Sequence, residues 1–261
     1  MKIVCVYRDE RFSPNSVEKD RAILDAVGER LRCMGHDVDY VRESELQGVE
    51  ADMCLSMARS AEALDILRNS GVPVVSHPDG VALCCHRKAL DELMRREHVA
   101  MPPLQGNEGY WLKRGDGPAE QKDDIVFCAN EEELAEARQR MSARGISEQV
   151  VSAHVKGDLV KFYGVSGTGF FRYYYPADDG ISKFGDEKRN GVAHHYGFSV
   201  ESLREEADRL AELTNVKVYG GDCIVGDDGS LAIIDFNDWP SFSRCRDEAA
   251  KAIGERIGVA S

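Results

Sequence analysis

GGDCIVGDDGSLAIIDFNDWPSFS, residues 220–243, holds two apolar runs, Cys223-Ile224-Val225 and Leu231-Ala232-Ile233-Ile234, joined by Gly226-Asp227-Asp228-Gly229. Strand-like runs flanking a Gly/Asp turn predict a β-hairpin. The first strand opens with Asp222 and the second ends in Asp235-Phe236-Asn237. Residues two apart on a strand share a face, so Asp235 and Asn237 project together, with Asp222 facing them from the paired strand. Two carboxylates and an amide oxygen form a hard oxygen site of the kind Mg²⁺ uses, and Mg²⁺ commonly completes its shell with substrate phosphates. The plainer alternative is a pair of frayed strand ends facing water.

Outward from the hairpin, the first half alternates strand and helix patterns. Strands at KIVCVYR, HDVDYVRE, ADMCLSM and VPVVSHP interleave with helical spacing over residues 17–35 and 60–71. Such alternation predicts an open parallel sheet, whose ligands bind beyond the carboxyl ends of its strands. Arg8, Ser56, Arg59 and Ser76 lie at those ends. A helix from about His86 to His98 leads to the boundary Met101-Pro102-Pro103. Beyond it come strands GYWLKR and IVFCA around the loop GDGPAEQKDD, then a helix opening at Asn130 with Glu133 three residues on, a capping-box spacing. Strands EQVVSAHV, DLVKFYGV and GFFRYYYP, a helix over about 199–214 and a last helix over about 244–258 read as an antiparallel unit around an irregular loop at 177–198. Tyr173-Tyr174-Tyr175 reads as strand packing and EEELAE as a solvated helix face.

Two lysines are candidates to meet phosphate, although each taken singly reads as a solvated surface residue. Lys88 begins a helix, and Lys113 precedes the loop Gly115-Asp116-Gly117, whose backbone N–H groups can approach phosphate.

The order of an αβ unit, a helix-start lysine, a lysine strand with a Gly loop, VVSAHVKGDLVKFYGV, and GGD…IIDFNDWP resembles the ATP-grasp superfamily over nearly the whole chain. The resemblance implies an α/β and α+β architecture with an N-terminal parallel αβ (pre-ATP-grasp) domain at 1–85. A small subdomain follows at 86–154 and a C-terminal ATP-grasp subdomain at 155–261. It implies ATP and Mg²⁺, with Mn²⁺ as a substitute, the metal held by Asp222, Asp235 and Asn237. Lys88 and Lys113 would meet the phosphates, Ser152, Ala153 and Val155 would supply the adenine hinge, and Asp158 would bind ribose. Lys161 belongs to the same nucleotide site, and Arg172, with Lys113, would act on the reacting phosphoryl group. Lys183, Lys188, Arg189, Asn190, His194 and His195 are candidate contacts to the second substrate. The implied reaction joins a carboxylate to an amine through an acylphosphate. A small-molecule kinase resembling the inositol-phosphate kinases and a nucleotide-binding module with weak catalysis are the alternatives.

Three departures from the family pattern stand out. The hinge reads SAHV where an acid is usual near Ala153, Asp235 replaces the more common Glu, and no Gly follows Pro240.

Composition narrows the partners. Of 261 residues, 33 are basic and 46 acidic, giving a net charge of −13, which argues against nucleic acid or an anionic membrane. No apolar run approaches the roughly 20 residues of a membrane span, and the sequence begins in a strand-like segment. A cytoplasmic protein is expected, acting on small molecules, with a homodimer left open. The eight cysteines contain no Cys-x-x-Cys and are expected to be reduced thiols.

Overall fold

The computed structural model describes residues 1–13, 16–179 and 191–259. Strands β1 (Lys2–Tyr7), β2 (Asp37–Arg42), β3 (Met53–Ser56) and β4 (Val74–Val75) form a parallel sheet in the order β2-β1-β3-β4. Helix α1 (Val17–Cys33) buries Ile23, Leu24, Val27 and Leu31, the periodic stripe of its sequence, and α2 (Ala61–Asn69) buries Ala63, Leu64 and Leu67.

A helix that was not expected, α3 (Pro78–Cys85), opens directly after β4; the helix expected from His86 is α4 (Arg87–Arg96), which abuts it at His86. Pro78 sits in the first turn of α3, where a missing N–H costs nothing, and the His77 ring accepts from Asp79 N–H at 3.3 Å. His86 ends α3 and caps α4, its Nδ1 accepting from Ala89 N–H at 3.2 Å.

Strands β5 (Tyr110–Arg114), β6 (Ile125–Cys128) and β7 (Gln149–Ala153) make a three-stranded antiparallel sheet, order β6-β5-β7. α5 (Glu131–Ala143) covers one face through Ala137 and Met141, packed with Leu112, Cys128 and Ile146. Asn130 caps α5 as expected, accepting from Glu133 N–H at 2.9 Å, while the Glu133 carboxylate reaches Ala129 N–H rather than the cap residue itself.

The third sheet is antiparallel, order β11-β10-β8-β9, built from β8 (Asp158–Val165), β9 (Phe170–Tyr174), β10 (Val218–Val225) and β11 (Leu231–Asp238). α6 (Val200–Thr214) packs on the Phe162, Tyr219 and Phe236 face. α7 (Arg246–Val259) returns to the first sheet, its Ala249, Ile253 and Ile257 sharing a core with Ile23, Leu24 and Leu31 of α1. Among the described residues no helix is long and apolar enough to cross a membrane.

The hairpin is present but longer than its apolar runs. β10 extends back to Val218 and β11 on to Asp238, so the acids lie inside the strands, with Asp222 directly opposite Asp235 and a bulge between Asp222 and Cys223. Gly220 and Gly221 permit this pairing. A Cβ on Gly221 would stand 2.2 Å from the Asp235 carbonyl oxygen, and one on Gly220 would stand 2.8 Å from Pro240. After β11 the chain turns through Trp239 (φ 38°) and Phe242 (φ 46°), both fully buried. Left-handed backbone at a bulky residue costs about 1–3 kcal/mol. Burying an aromatic of about 150–250 Å² returns roughly 4–6 kcal/mol, so packing wins.

Candidate active site

Register places the polar residues on one face of the third sheet. Asp235, Asp222, Lys161 and Tyr174 form one cross-strand row, and Asn237, Gly220, Tyr163 and Arg172 the next. Like charges directly opposed across a strand pair repel, so Asp222 and Asp235 call for a cation. Lys161 Nζ supplies part of it, donating to Asp222 Oδ1 at 3.0 Å and Oδ2 at 3.2 Å. Asn237 Nδ2 donates to Asp235 Oδ2 at 2.7 Å, which fixes that carboxylate and leaves the amide oxygen as a further donor to a metal. Among the described residues no three of His, Cys, Asp or Glu gather as a metal-binding group. The candidate donors are two carboxylates and one amide oxygen, all half-buried. That set fits Mg²⁺ or Mn²⁺ with a shell completed by phosphate and water.

Across from this face lies the second sheet. Trp111, Lys113, Val150 and Ser152 share its open side by register. A cleft between the sheets is lined by Arg87, Lys113, Val150, Ser152, Ile234 and Asp235, among others. Lys113 Nζ donates to Ile234 O at 3.2 Å, bridging the two sheets at the residue before Asp235. Burial, then repulsion by Arg87, hold its pKa below the ordinary 10.5, while Asp235 and Asp222 push it back up.

The other cation of the cleft is Arg87, which the sequence reading passed over for its neighbour. Arg87 Nη1 donates to Arg114 O at 2.7 Å and to Gly117 O at 3.3 Å, clamping the Gly loop to the start of α4. Lys88 is half-buried, and its backbone N–H donates to Gly115 O at 2.9 Å. The cue for Arg87 was a cation one position nearer the helix start.

At the hinge, Ser152 and Ala153 are buried and Val155 half-buried. The Ala153 N–H is engaged by Pro103 O and the His154 N–H by Gly109 O, both at 2.8 Å. Trp111 Nε1 donates to His154 Nδ1 at 3.1 Å.

Asp158, the candidate ribose contact, is tied to the backbone at 194–196. Its side chain is fully buried and accepts from the backbone N–H groups of His194 at 2.7 Å and Tyr196 at 2.9 Å. Burial alone would raise this carboxyl; those two donors and the His194 ring more than reverse it, holding its pKa below the ordinary range. His195 Nε2 lies 3.3 Å from Asp178, with its ring 4.3 Å from that of Tyr175. His194 and His195 thus fasten the chain entering β8's neighbourhood. Lys183, Lys188, Arg189 and Asn190 lie outside the described residues.

Arg172 shares the sheet face with Asp222 but on the edge strand, beyond β8. Its guanidinium is engaged by Glu248 of α7, and Nη1 donates to Phe171 O at 2.8 Å. Among the described residues, the cation paired with Asp222 is Lys161.

The arginines at the carboxyl ends of the first sheet converge on a residue of the hairpin itself. Asp238, fully buried, accepts from Arg8 Nη2 at 3.0 Å and Arg59 Nη2 at 2.6 Å. The two guanidinium groups outweigh burial and keep its carboxyl below the usual range. Glu43, also buried, ties the neighbouring loops by accepting from the N–H groups of Asp9, Arg59 and Ser60. Neither acid was assigned a role from the sequence; Asp238 follows Asn237 in the motif, whereas Glu43 carries no sequence signal.

Two antiparallel sheets closing on a cleft, with paired acids on the last two strands and a parallel αβ unit before them, is the ATP-grasp arrangement. The chain has the ATP-grasp fold. Protein-family models and curated proteins give no match to the sequence. Solved structures do match. A RimK-domain ATP-grasp protein from Sphaerobacter thermophilus aligns at 16% identity over 98% of each chain, TM-score 0.67. A D-cycloserine synthetase aligns at 13% identity over 98% of this chain and 100% of that one, TM-score 0.67. A D-alanine–D-alanine ligase from Bacillus anthracis aligns at 12% identity over 97% and 92%, TM-score 0.64.

Proposed function

We propose that the chain is an ATP-dependent carboxylate–amine ligase. The observation that carries this reading is the directly opposed pair Asp222 and Asp235, with Asn237 beside them, at the edge of a cleft bridged by Lys113. Asp222, Asp235 and Asn237 would hold one or two Mg²⁺. The bound metal would neutralise phosphate charge during phosphoryl transfer. Lys113 and Lys161 would add two positive charges beside the same group, and Lys88, at the start of α4 beside the Gly loop, would meet the phosphates as well. Ser152 lines the same cleft and would stand at its adenine end. With the Ala153 and His154 N–H groups already engaged, adenine contacts fall to hinge carbonyls and Val155.

In this reading a substrate carboxylate attacks the γ-phosphorus of ATP, releasing ADP and forming an acylphosphate. An amine then attacks the acyl carbon, phosphate leaves, and an amide results. The protein's work is positioning and electrostatic stabilisation, and exclusion of water that would hydrolyse the intermediate. The likeness to solved carboxylate–amine ligases supports the same class.

The test is ADP and phosphate release from MgATP against pooled carboxylic acids and amines. Release that requires one pool of each supports the ligase. Phosphate retained on an acceptor identifies a kinase, and a melting shift with ATP but no turnover identifies a binding module.

A further inference from the structure

The end of β11 is fastened to three carboxyl ends of the parallel sheet at once. From the loop after β1, Arg8 Nη2 donates to Asp238 Oδ2 at 3.0 Å and to the carbonyl oxygens of Asp238 at 3.3 Å and Trp239 at 3.4 Å. From the loop after β3, Arg59 Nη2 donates to Asp238 Oδ1 at 2.6 Å and to its carbonyl at 3.4 Å. At the end of β4, Val75 O accepts from Trp239 Nε1 at 3.3 Å. Asp238 is 0% exposed, Arg8 6% and Arg59 15%, so this ionic cluster is largely screened from water. Arg8 is itself oriented by Asp20 at 3.3 Å and by Met57 O at 3.1 Å.

Asp238 adjoins Asn237 and lies three residues from Asp235. Strand alternation turns its side chain to the opposite face from both, in register with buried Tyr219. Its charge is therefore not offered to a cation in the cleft. What it can do is set where the backbone of the metal strand ends. Both arginines grip carboxylate and carbonyl together, so the contact fixes the strand's position and not merely its charge balance. A neutral hairpin end would pack against a neighbouring sheet through apolar residues; burying an acid between two arginines from loops 179 and 230 residues away gives a contact with one geometry.

We propose that Asp238, held by Arg8 and Arg59, is a positioning residue that registers Asp235 and Asn237 against the carboxyl edge of the first sheet, where an acceptor substrate would sit. This rests on the metal-site reading above. Residues that hold metal ligands in place typically change metal affinity by about 10- to 100-fold when altered.

The test is Mn²⁺ affinity of the full chain without nucleotide, by electron paramagnetic resonance, alongside Tm. Asp238→Asn is expected to raise the Mn²⁺ Kd by on the order of tenfold or more. Asp124→Asn is the control. Asp124 is an equally buried acid held by Arg144 in the second sheet, so its loss should lower Tm while leaving Kd unchanged. Equal weakening by both variants, or no change in Asp238→Asn, overturns the positioning role. Should Asp238→Asn fail to fold, Arg59→Lys retains the charge but not the double contact; a Kd unchanged there overturns the proposal as well. Asp235→Asn separates the two readings. If it leaves Kd unchanged, the metal site itself is wrong; if it abolishes binding while Asp238→Asn and Arg59→Lys do not weaken it, only the positioning role fails.

Discussion

Gly221→Ala perturbs the candidate metal site without touching a charged group. Gly221 lies on β10 between β8 and β11, opposite Phe236 on one side and Phe162 on the other. An added Cβ would stand 2.2 Å from the Asp235 carbonyl oxygen and 2.5 Å from Phe162 Cζ. The first distance is about 1.2 Å short of the 3.4 Å at which ordinary contact begins, and its partner is backbone, which cannot rotate away. β11 must therefore shift by about an ångström at Asp235, a candidate metal carboxylate. Overpacking of this kind costs roughly 1–3 kcal/mol, and misplacing a catalytic group by that distance costs on the order of 10²-fold in rate. Differential scanning fluorimetry and Mn²⁺ titration read the two effects separately. Gly48→Ala, where the same methyl enters open space at an ordinary φ, is the matched control and should be neutral or stabilising by about 0.4–1 kcal/mol. Wild-type Tm and Mn²⁺ affinity in Gly221→Ala would refute the reasoning.

Three further outcomes are expected. Lys161→Ala should lower MgATP turnover by about 10- to 100-fold, the equivalent of one charge-assisted bond of about 1.5–3 kcal/mol, whereas Arg172→Ala should stay within about threefold of wild type; steady-state kinetics showing the larger kcat loss for Arg172 would restore that arginine to the phosphoryl group. Asp124, Asp158 and Asp238 all have carboxyls held below the ordinary 3.8. Their stabilisation is complete above that value and is lost as pH falls through the lowered folded-state values, so Tm should be flat near neutrality and drop below about pH 4. Asp124→Asn should soften that drop, and an unaltered acid limb would argue against it. Among the eight cysteines Cys33 is exposed, while burial pushes Cys5 and Cys223 up to about 12; iodoacetamide followed by intact mass should show one fast adduct, and a second adduct formed equally fast would contradict the described burial.

Much of the fold is legible because period and punctuation agree. The helical stripe of α1 and the two apolar runs around a Gly/Asp turn in the hairpin each point one way, and Asn130 marks the start of α5 by its cap chemistry. α3 was missed because its apolar residues, Val81-Ala82-Leu83-Cys84-Cys85, have no clear stripe; the Pro78 start signal was there and outweighed by the strand reading before it. That Asp222, Asp235 and Asn237 lie close together could be read because they belong to one local hairpin; the bulge between Asp222 and Cys223, which sets Asp222 opposite Asp235, carries no sequence signal. Tertiary partners could not be read. Arg8 and Arg59 do lie just beyond the carboxyl ends of β1 and β3, but nothing local says that both bend toward Asp238. The burial of Asp158 beneath the His194–Tyr196 backbone likewise depends on a contact across 36 residues.

The most direct test of the ligase reading is hydroxamate formation, with MgATP, hydroxylamine and pooled carboxylic acids, by wild type and Asp235→Asn. Hydroxylamine traps an activated acyl group, so a hydroxamate with one carboxylate pool, made by wild type and reduced by orders of magnitude in the variant, is the predicted result. ADP formation with no hydroxamate from any pool, or equal yields from both proteins, would contradict it.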